Sequence, residues 1–90
     1  MDFDWDFSNL EHIARHKVEQ AEAEEALTDP AALRTSAHRG PLGQTRFGFI
    51  GATEEGRVLV VYHELRAGRI RVVTVRAATP EERALYHTEE

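Results

Sequence analysis

Ninety residues, of which 41% are hydrophobic and 30% charged, have room for one core of two packed layers, so a single domain over residues 1–90 is expected. Cysteine is absent, which excludes a disulfide framework, a thiolate zinc site and a cysteine nucleophile. No apolar run approaches the ~18 residues of a membrane span, and the start, Met-Asp-Phe-Asp, is acidic where a signal peptide is basic, so a cytoplasmic address without a membrane partner is expected.

The net charge of −5 hides a segregation. Residues 1–30 carry Asp2, Asp4, Asp6, Glu11, Glu19, Glu22, Glu24, Glu25 and Asp29 against Arg15 and Lys17, a local charge of −7. Residues 31–80 carry Arg34, Arg39, Arg46, Arg57, Arg66, Arg69, Arg71 and Arg76 against Glu54, Glu55 and Glu64, a local charge of +5. Such a chain can present a basic face while being acidic overall. Arginine offers a planar fork of donors that fits phosphate, and it fits the carboxylates of the acidic third equally well.

In chain order, Phe3 and Trp5 alternate with Asp2, Asp4 and Asp6, which predicts a short edge strand with aromatics inward. Ser8 followed by Glu11 is a capping-box pattern, so a helix is expected from about Asn9 to Lys17, with Leu10, Ile13 and Ala14 inward. Glu19 to Thr28 is rich in alanine and glutamate and predicts a second helix, stopped by Asp29-Pro30. Four strands should follow: a weak one over 31–37, then 45–52, 57–66 and 69–77. The connections are a loop through Gly40, Pro41 and Gly43, a turn over Thr53–Gly56, and Ala67-Gly68. Thr79-Pro80 with Glu82 predicts the start of a short last helix.

The expected class is α+β: two N-terminal helices packed on a four- to five-stranded antiparallel sheet, closed by a short C-terminal helix. Leu10, Ile13, Leu27, Val60 and Val72 should be buried. Val60, Val61, Val72 and Val73 put apolar residues on both sheet faces. The second face then needs the C-terminal helix, a partner or a second copy, and a homodimer or a heteromeric complex is expected through that face or the C-terminal helix.

Taken together, several motifs resemble the BrnT family of type II toxin–antitoxin systems. They are Phe3-x-Trp5-Asp6, His16 and Val18, Glu24-Glu25-Ala26-Leu27, Asp29-Pro30, Arg46, Ile50-Gly51, Gly56-Arg57-x-Leu59-x-Val61, Ile70-Arg71, Arg76-x-Ala78-Thr79, Glu82-Arg83 and Tyr86. The resemblance implies a small ribonuclease toxin of RelE-like fold, an RNA substrate, and neutralisation by a cognate DNA-binding antitoxin. Two positions depart from the family pattern: Lys17 stands where a glycine is usual, and Thr74 where a serine is usual.

Hydrolysing RNA without a metal or other cofactor requires a base for the ribose 2′-hydroxyl, cations for the phosphorane charge, and an acid for the leaving oxygen. His63 is the sequence's candidate acid or base, because histidine changes charge near neutrality. Arg46, Arg71 and Arg76 are candidate phosphate-binding cations, with Thr74 as an auxiliary donor. Arg69, Arg83 and Tyr86 are candidate RNA contacts. Arg71 and Arg76 are five positions apart, so a regular strand would place them on opposite faces and only a bulge, or a strand ending before Arg76, would bring them together. As a strand-end residue, Arg76 should carry little packing. His12 and His16, one helical turn apart, form half of a zinc pattern, but Ile13 stands where a metalloprotease needs glutamate, and no metal is expected. The alternative reading is a non-catalytic interaction module whose arginines pair with the chain's own carboxylates.

Overall fold

The computed structural model describes residues 2–88. Two helices, α1 (Phe7–Ala14) and α2 (Gln20–Thr28), precede four strands: β1 (Leu33–Arg39), β2 (Thr45–Ala52), β3 (Val58–Arg66) and β4 (Arg69–Ala77). A last helix, α3 (Pro80–Thr88), follows. The strands form an antiparallel meander in the order β1-β2-β3-β4.

The expected N-terminal strand is reduced to one parallel bridge between Phe3 and Ile70. Asp6 is the reason: its carboxylate caps α1 by accepting from the Asn9 N–H, and the Asn9 side chain accepts from the Asp6 N–H. The cap is therefore Asp6 and not Ser8, and the chain turns into helix before a strand can extend. Asn9 also points inward, donating to the carbonyls of Asp4 and Val72. The buried side of α1 thus runs through Asn9 and Ile13. Leu10, expected inside, is only half-buried.

α1 ends at Ala14, and a turn closes it. Val18 N–H donates to the Ile13 carbonyl and Lys17 N–H to that of Ala14, with Lys17 at a φ of 59°. This is the Schellman closure of a helix C-terminus, in which the left-handed position favours glycine. Val18 and Ile13, the pair that such a closure brings together, are both buried. The turn survives Lys17 because its geometry is held by this apolar contact and by Arg57, whose guanidinium donates to the Lys17 carbonyl at 2.9 Å.

α1 and α2 cover one sheet face. Ile13, Val18, Ala23, Ala26 and Leu27 pack there on Leu59, Val61, Val72 and Val75, with Phe3 and Trp5 at the margin. The approach is close at Gly51, where an added Cβ would lie 2.0 Å from the Ala26 carbonyl oxygen. The opposite face is apolar only at one end, where Ile50, Val58 and Val60 lie under Tyr86 of α3 and Ala78. α3 begins as the sequence predicts: Glu82 N–H donates to the Thr79 hydroxyl, and Thr79 N–H to the Glu82 carboxylate. The rest of that face carries mostly polar side chains, among them Arg46, Glu64, Arg71, Tyr62 and Thr74, with Val73 beside them.

Candidate functional site

The polar half of the second sheet face is organised by register. Residues paired across antiparallel strands share a face. Arg46, Glu64 and Arg71 therefore form one cross-strand row, Gly48, Tyr62 and Thr74 the next, and Ile50, Val60 and Arg76 the third. The β3–β4 register shifts between Tyr62 and His63: Tyr62 pairs with Thr74 but His63 with Val72, which leaves Val73 as the extra residue. This bulge is what lets Arg71, Thr74 and Arg76 share a face despite their odd spacing.

Two adjoining clefts open over these rows, each of about 310 Å³. One is floored by Tyr62 and Thr74 with Ser36 and His38 from β1, and the other reaches His12 and Asn9 of α1. Arg46 and Val73 line both. α1 lies against β4 so that His12 Nε2 stands 3.1 Å from the Thr74 hydroxyl. The sequence reading missed His12 as a partner of Thr74. Position on an exposed helical turn carries no signal of what lies across the sheet edge.

His63, the candidate acid or base, is elsewhere. It pairs with Phe47 and Val72 in the register and so faces the helix side of the sheet, away from the arginines. It is 7% exposed, between the rings of Phe47 and Phe49, and among the described residues its buried Nδ1 has no hydrogen-bond partner. Burial pulls its pKa below the usual histidine value, and a backbone hydrogen bond at Val61 offsets part of that. Glu64, by contrast, is on the arginine face.

The guanidinium groups are engaged by carboxylates. Arg46 Nε donates to Glu64 at 3.2 Å, and Arg66 meets the other Glu64 oxygen at 3.3 Å. Burial raises the Glu64 pKa, but hydrogen bonds from Arg46 and Gln44 and the charges of Arg46 and Arg66 outweigh it, so the carboxylate is held below its usual range. Arg71 lies 3.0 Å from Asp6 and 3.7 Å from Asp4. The Arg71 hydrogen bond, with a backbone one at Asn9, lowers the Asp6 pKa. Arg76 forms a two-pronged pair with Glu82, at 2.7 and 2.9 Å, and also donates to the Tyr62 hydroxyl at 3.4 Å. That pair holds the Glu82 carboxyl down at about 2 and raises the Arg76 pKa. Arg76 therefore ties α3 to the sheet, against the expectation that it carries little packing.

The remaining candidates are dispersed. Arg69 donates to the Phe3 carbonyl at 2.6 Å, and Arg83 to the Ala78 carbonyl at 2.8 Å. Tyr86, expected to contact RNA, is buried, with its hydroxyl on Asp29 at 2.5 Å. Arg46 is the cation best placed for a ligand: only its Nε is engaged by a hydrogen bond among the described residues. Its terminal nitrogens, the Thr74 and Tyr62 hydroxyls and the His12 imidazole can together bind an anion and exchange a proton with it.

This is the arrangement of a small α+β protein with a polar sheet cleft suited to an oxyanion. The family described as ribonuclease toxin, BrnT, of type II toxin-antitoxin system matches residues 5–82, and the chain belongs to it. A search of curated proteins gives no match.

Proposed function

We propose that this chain is the toxin of a type II toxin–antitoxin pair and cleaves RNA in the cytoplasm by a metal-independent route, in the cleft between α1 and the second sheet face. The observation that carries the reading is the His12–Thr74 contact beside Arg46, made possible by the bulge at Val73. In this mechanism His12 takes the 2′-hydroxyl proton, the 2′-oxygen attacks the phosphorus, and the bond to the 5′-oxygen breaks to leave a 2′,3′-cyclic phosphate, the departing 5′-oxygen taking its proton from solvent water. Thr74 orients the imidazole, and Arg46 stabilises the charge that builds on the phosphorane. Arg71 lends a second cation once Asp4 and Asp6 yield it to a phosphate. Arg76 positions Tyr62 and α3. The helices-then-sheet order supports a RelE-like arrangement, and membership of the family supports a cognate DNA-binding antitoxin that neutralises the activity.

A second reading, a non-catalytic interaction module, is favoured by one observation. Arg46, Arg66, Arg71 and Arg76 are all matched by Glu64, Asp4, Asp6 and Glu82, so the cleft is neutral by charge count. The two readings part in one experiment. Purified chain is incubated with a long unstructured RNA in EDTA, alongside Arg46→Ala and His12→Ala. Cleavage by the parent that both variants lose supports the nuclease. Intact RNA, intact ribosome-bound message and no growth arrest on expression support the module.

A further inference from the structure

The two edges of the sheet are unlike. Along β4 the edge is occupied by the chain's own N-terminus: Asp4 N–H donates to the Ile70 carbonyl at 2.7 Å, and Ile70 N–H to that of Asp2 at 2.8 Å. Phe3 and Trp5 turn toward the core, and Asp4 and Asp6 meet Arg71. An extended segment alternating acids with aromatics is thus how this molecule covers a basic strand edge.

β1 forms the other edge. It pairs only with β2, and among the described residues no further backbone hydrogen bond reaches residues 33–39. Six of its seven residues are exposed. Register puts Arg34, Ala37 and Arg39 on the helix side of the sheet, beside Phe49, Phe47 and Thr45. Arg34 and Arg39 meet no carboxylate among the described residues, and Arg34 lies over the Phe47 ring at 4.9 Å. The helices leave a shallow hollow of about 200 Å³ there, lined by Arg34, Phe47, Phe49, His63 and Leu65, with Leu65 63% exposed. Unpaired N–H and C=O groups and two uncompensated cations lie along one edge, with the hollow on the same side of the sheet as the cations.

We propose that the free edge of β1 accepts an added strand from a partner protein, an extended segment whose Asp or Glu residues recur at every second position and lie on the side facing Arg34 and Arg39, the alternate residues facing the side of Ser36 and His38. Main-chain hydrogen bonds to β1 supply the register-independent part of the binding, and carboxylates facing Arg34 and Arg39 supply the selectivity. A second copy of this chain fits poorly. Pairing β1 antiparallel with itself about Ser36 sets Arg34 opposite His38 of the other copy, and no acid lies within the strand to offset the arginines. The inference stands on the edge alone and does not depend on RNA cleavage.

The test uses the full chain and a fluorescein-labelled peptide, Asp-Val-Asp-Ile-Glu-Val-Asp-Val, blocked at both ends, with a control in which lysine replaces each acid. Anisotropy gives the affinity, and amide hydrogen exchange locates the contact. The acidic peptide should bind, lose affinity with added salt, and slow exchange within residues 33–39, while the lysine peptide should not bind. The double variant R34E/R39E should bind the acidic peptide roughly tenfold more weakly, as expected from two reversed cross-strand charge pairs. No binding of the acidic peptide, equal binding by the double variant, protection confined to the arginine cleft, or self-association of the chain through residues 33–39 would each overturn the proposal.

Discussion

The His12 imidazole and the Thr74 hydroxyl stand 3.1 Å apart across the edge of the sheet, although 62 residues separate them in the chain. The contact exists because Asp6 starts α1 early and Asn9 fastens that helix to the Val72 carbonyl, while the bulge at Val73 turns Thr74 to the cleft. His12 is exposed and packs nothing in the core. His12→Ala should therefore leave the thermal midpoint near that of the parent while lowering RNA cleavage ~10²–10⁴-fold, the usual worth of a positioned acid or base. Thr74→Val should lower it less. Equal cleavage by parent and His12→Ala would remove His12 from the mechanism.

The meander, its turns and the last helix were legible in the sequence, because each rests on local chemistry: valine runs, Ala67-Gly68, and the Thr79-Pro80-x-Glu82 cap. The arrangement of the candidate cleft was legible only in part. Arg46, Arg71 and Thr74 were named from residue type, but the face they share depends on Val73, and valine at a bulge looks like valine in a regular strand. His63 lies on the other face from the arginines for the opposite reason. Its strand position was correct, but which face the helices would cover was fixed by Ile13, Ala23 and Ala26, far away in sequence. The ion pairs were anticipated in kind, and their partners were not. Asp4 and Asp6 reach Arg71 from the segment before α1, Glu82 reaches Arg76 from the first turn of α3, and only Glu64 is a strand neighbour.

The Arg76–Glu82 pair should appear as acid sensitivity. Glu82 is held at about 2 in the folded chain, against an ordinary 4.5. A lowered carboxyl pKa gives stability that is complete above about 4.5 and is lost as pH falls toward 2, because the unfolded chain binds the proton first. Glu82→Gln should unfold more readily at pH 7, by ~1–3 kcal/mol for a charge-assisted hydrogen bond in a partly open site. The gap between variant and parent in urea melts should narrow below pH 4. A constant gap from pH 7 to pH 3 would mean that the pair contributes through packing and not through charge.

Lys17 occupies a left-handed position, at a φ of 59°, where the family resemblance leads one to expect glycine. A side chain there costs roughly 1–2 kcal/mol, of which glycine's greater freedom in the unfolded chain takes back a part. Lys17→Gly should consequently stabilise the protein by ~0.5–1 kcal/mol in chemical denaturation. The Arg57 contact to the Lys17 carbonyl uses only backbone and should survive the change. A loss of stability would show that the lysine stem does more at this turn than fill it.

His63 offers a test of opposite sign from Glu82. It is buried among Phe47 and Phe49, with an Nδ1 that has no partner among the described residues, and burial lowers its pKa from the ordinary 6.5. The folded chain therefore resists protonating it, while the unfolded chain takes the proton freely. Between the folded pKa and 6.5 the unfolded state binds more protons, so the stability that neutral His63 permits is present above 6.5 and declines as pH falls. The steepest slope that one such group can impose is about 1.4 kcal/mol per pH unit. His63→Leu removes both the titration and the unsatisfied nitrogen, at similar volume. The variant should be at least as stable as the parent at pH 8, and its advantage should grow as pH is lowered from 7 to 5. Urea melts of both proteins across that range read the difference directly, since every other titrating group is common to the two. A pH-independent difference would mean that His63 reaches solvent and titrates normally when folded. RNA cleavage at pH 8 supplies the second readout: unchanged activity in His63→Leu keeps the acid–base work on the other face of the sheet, with His12.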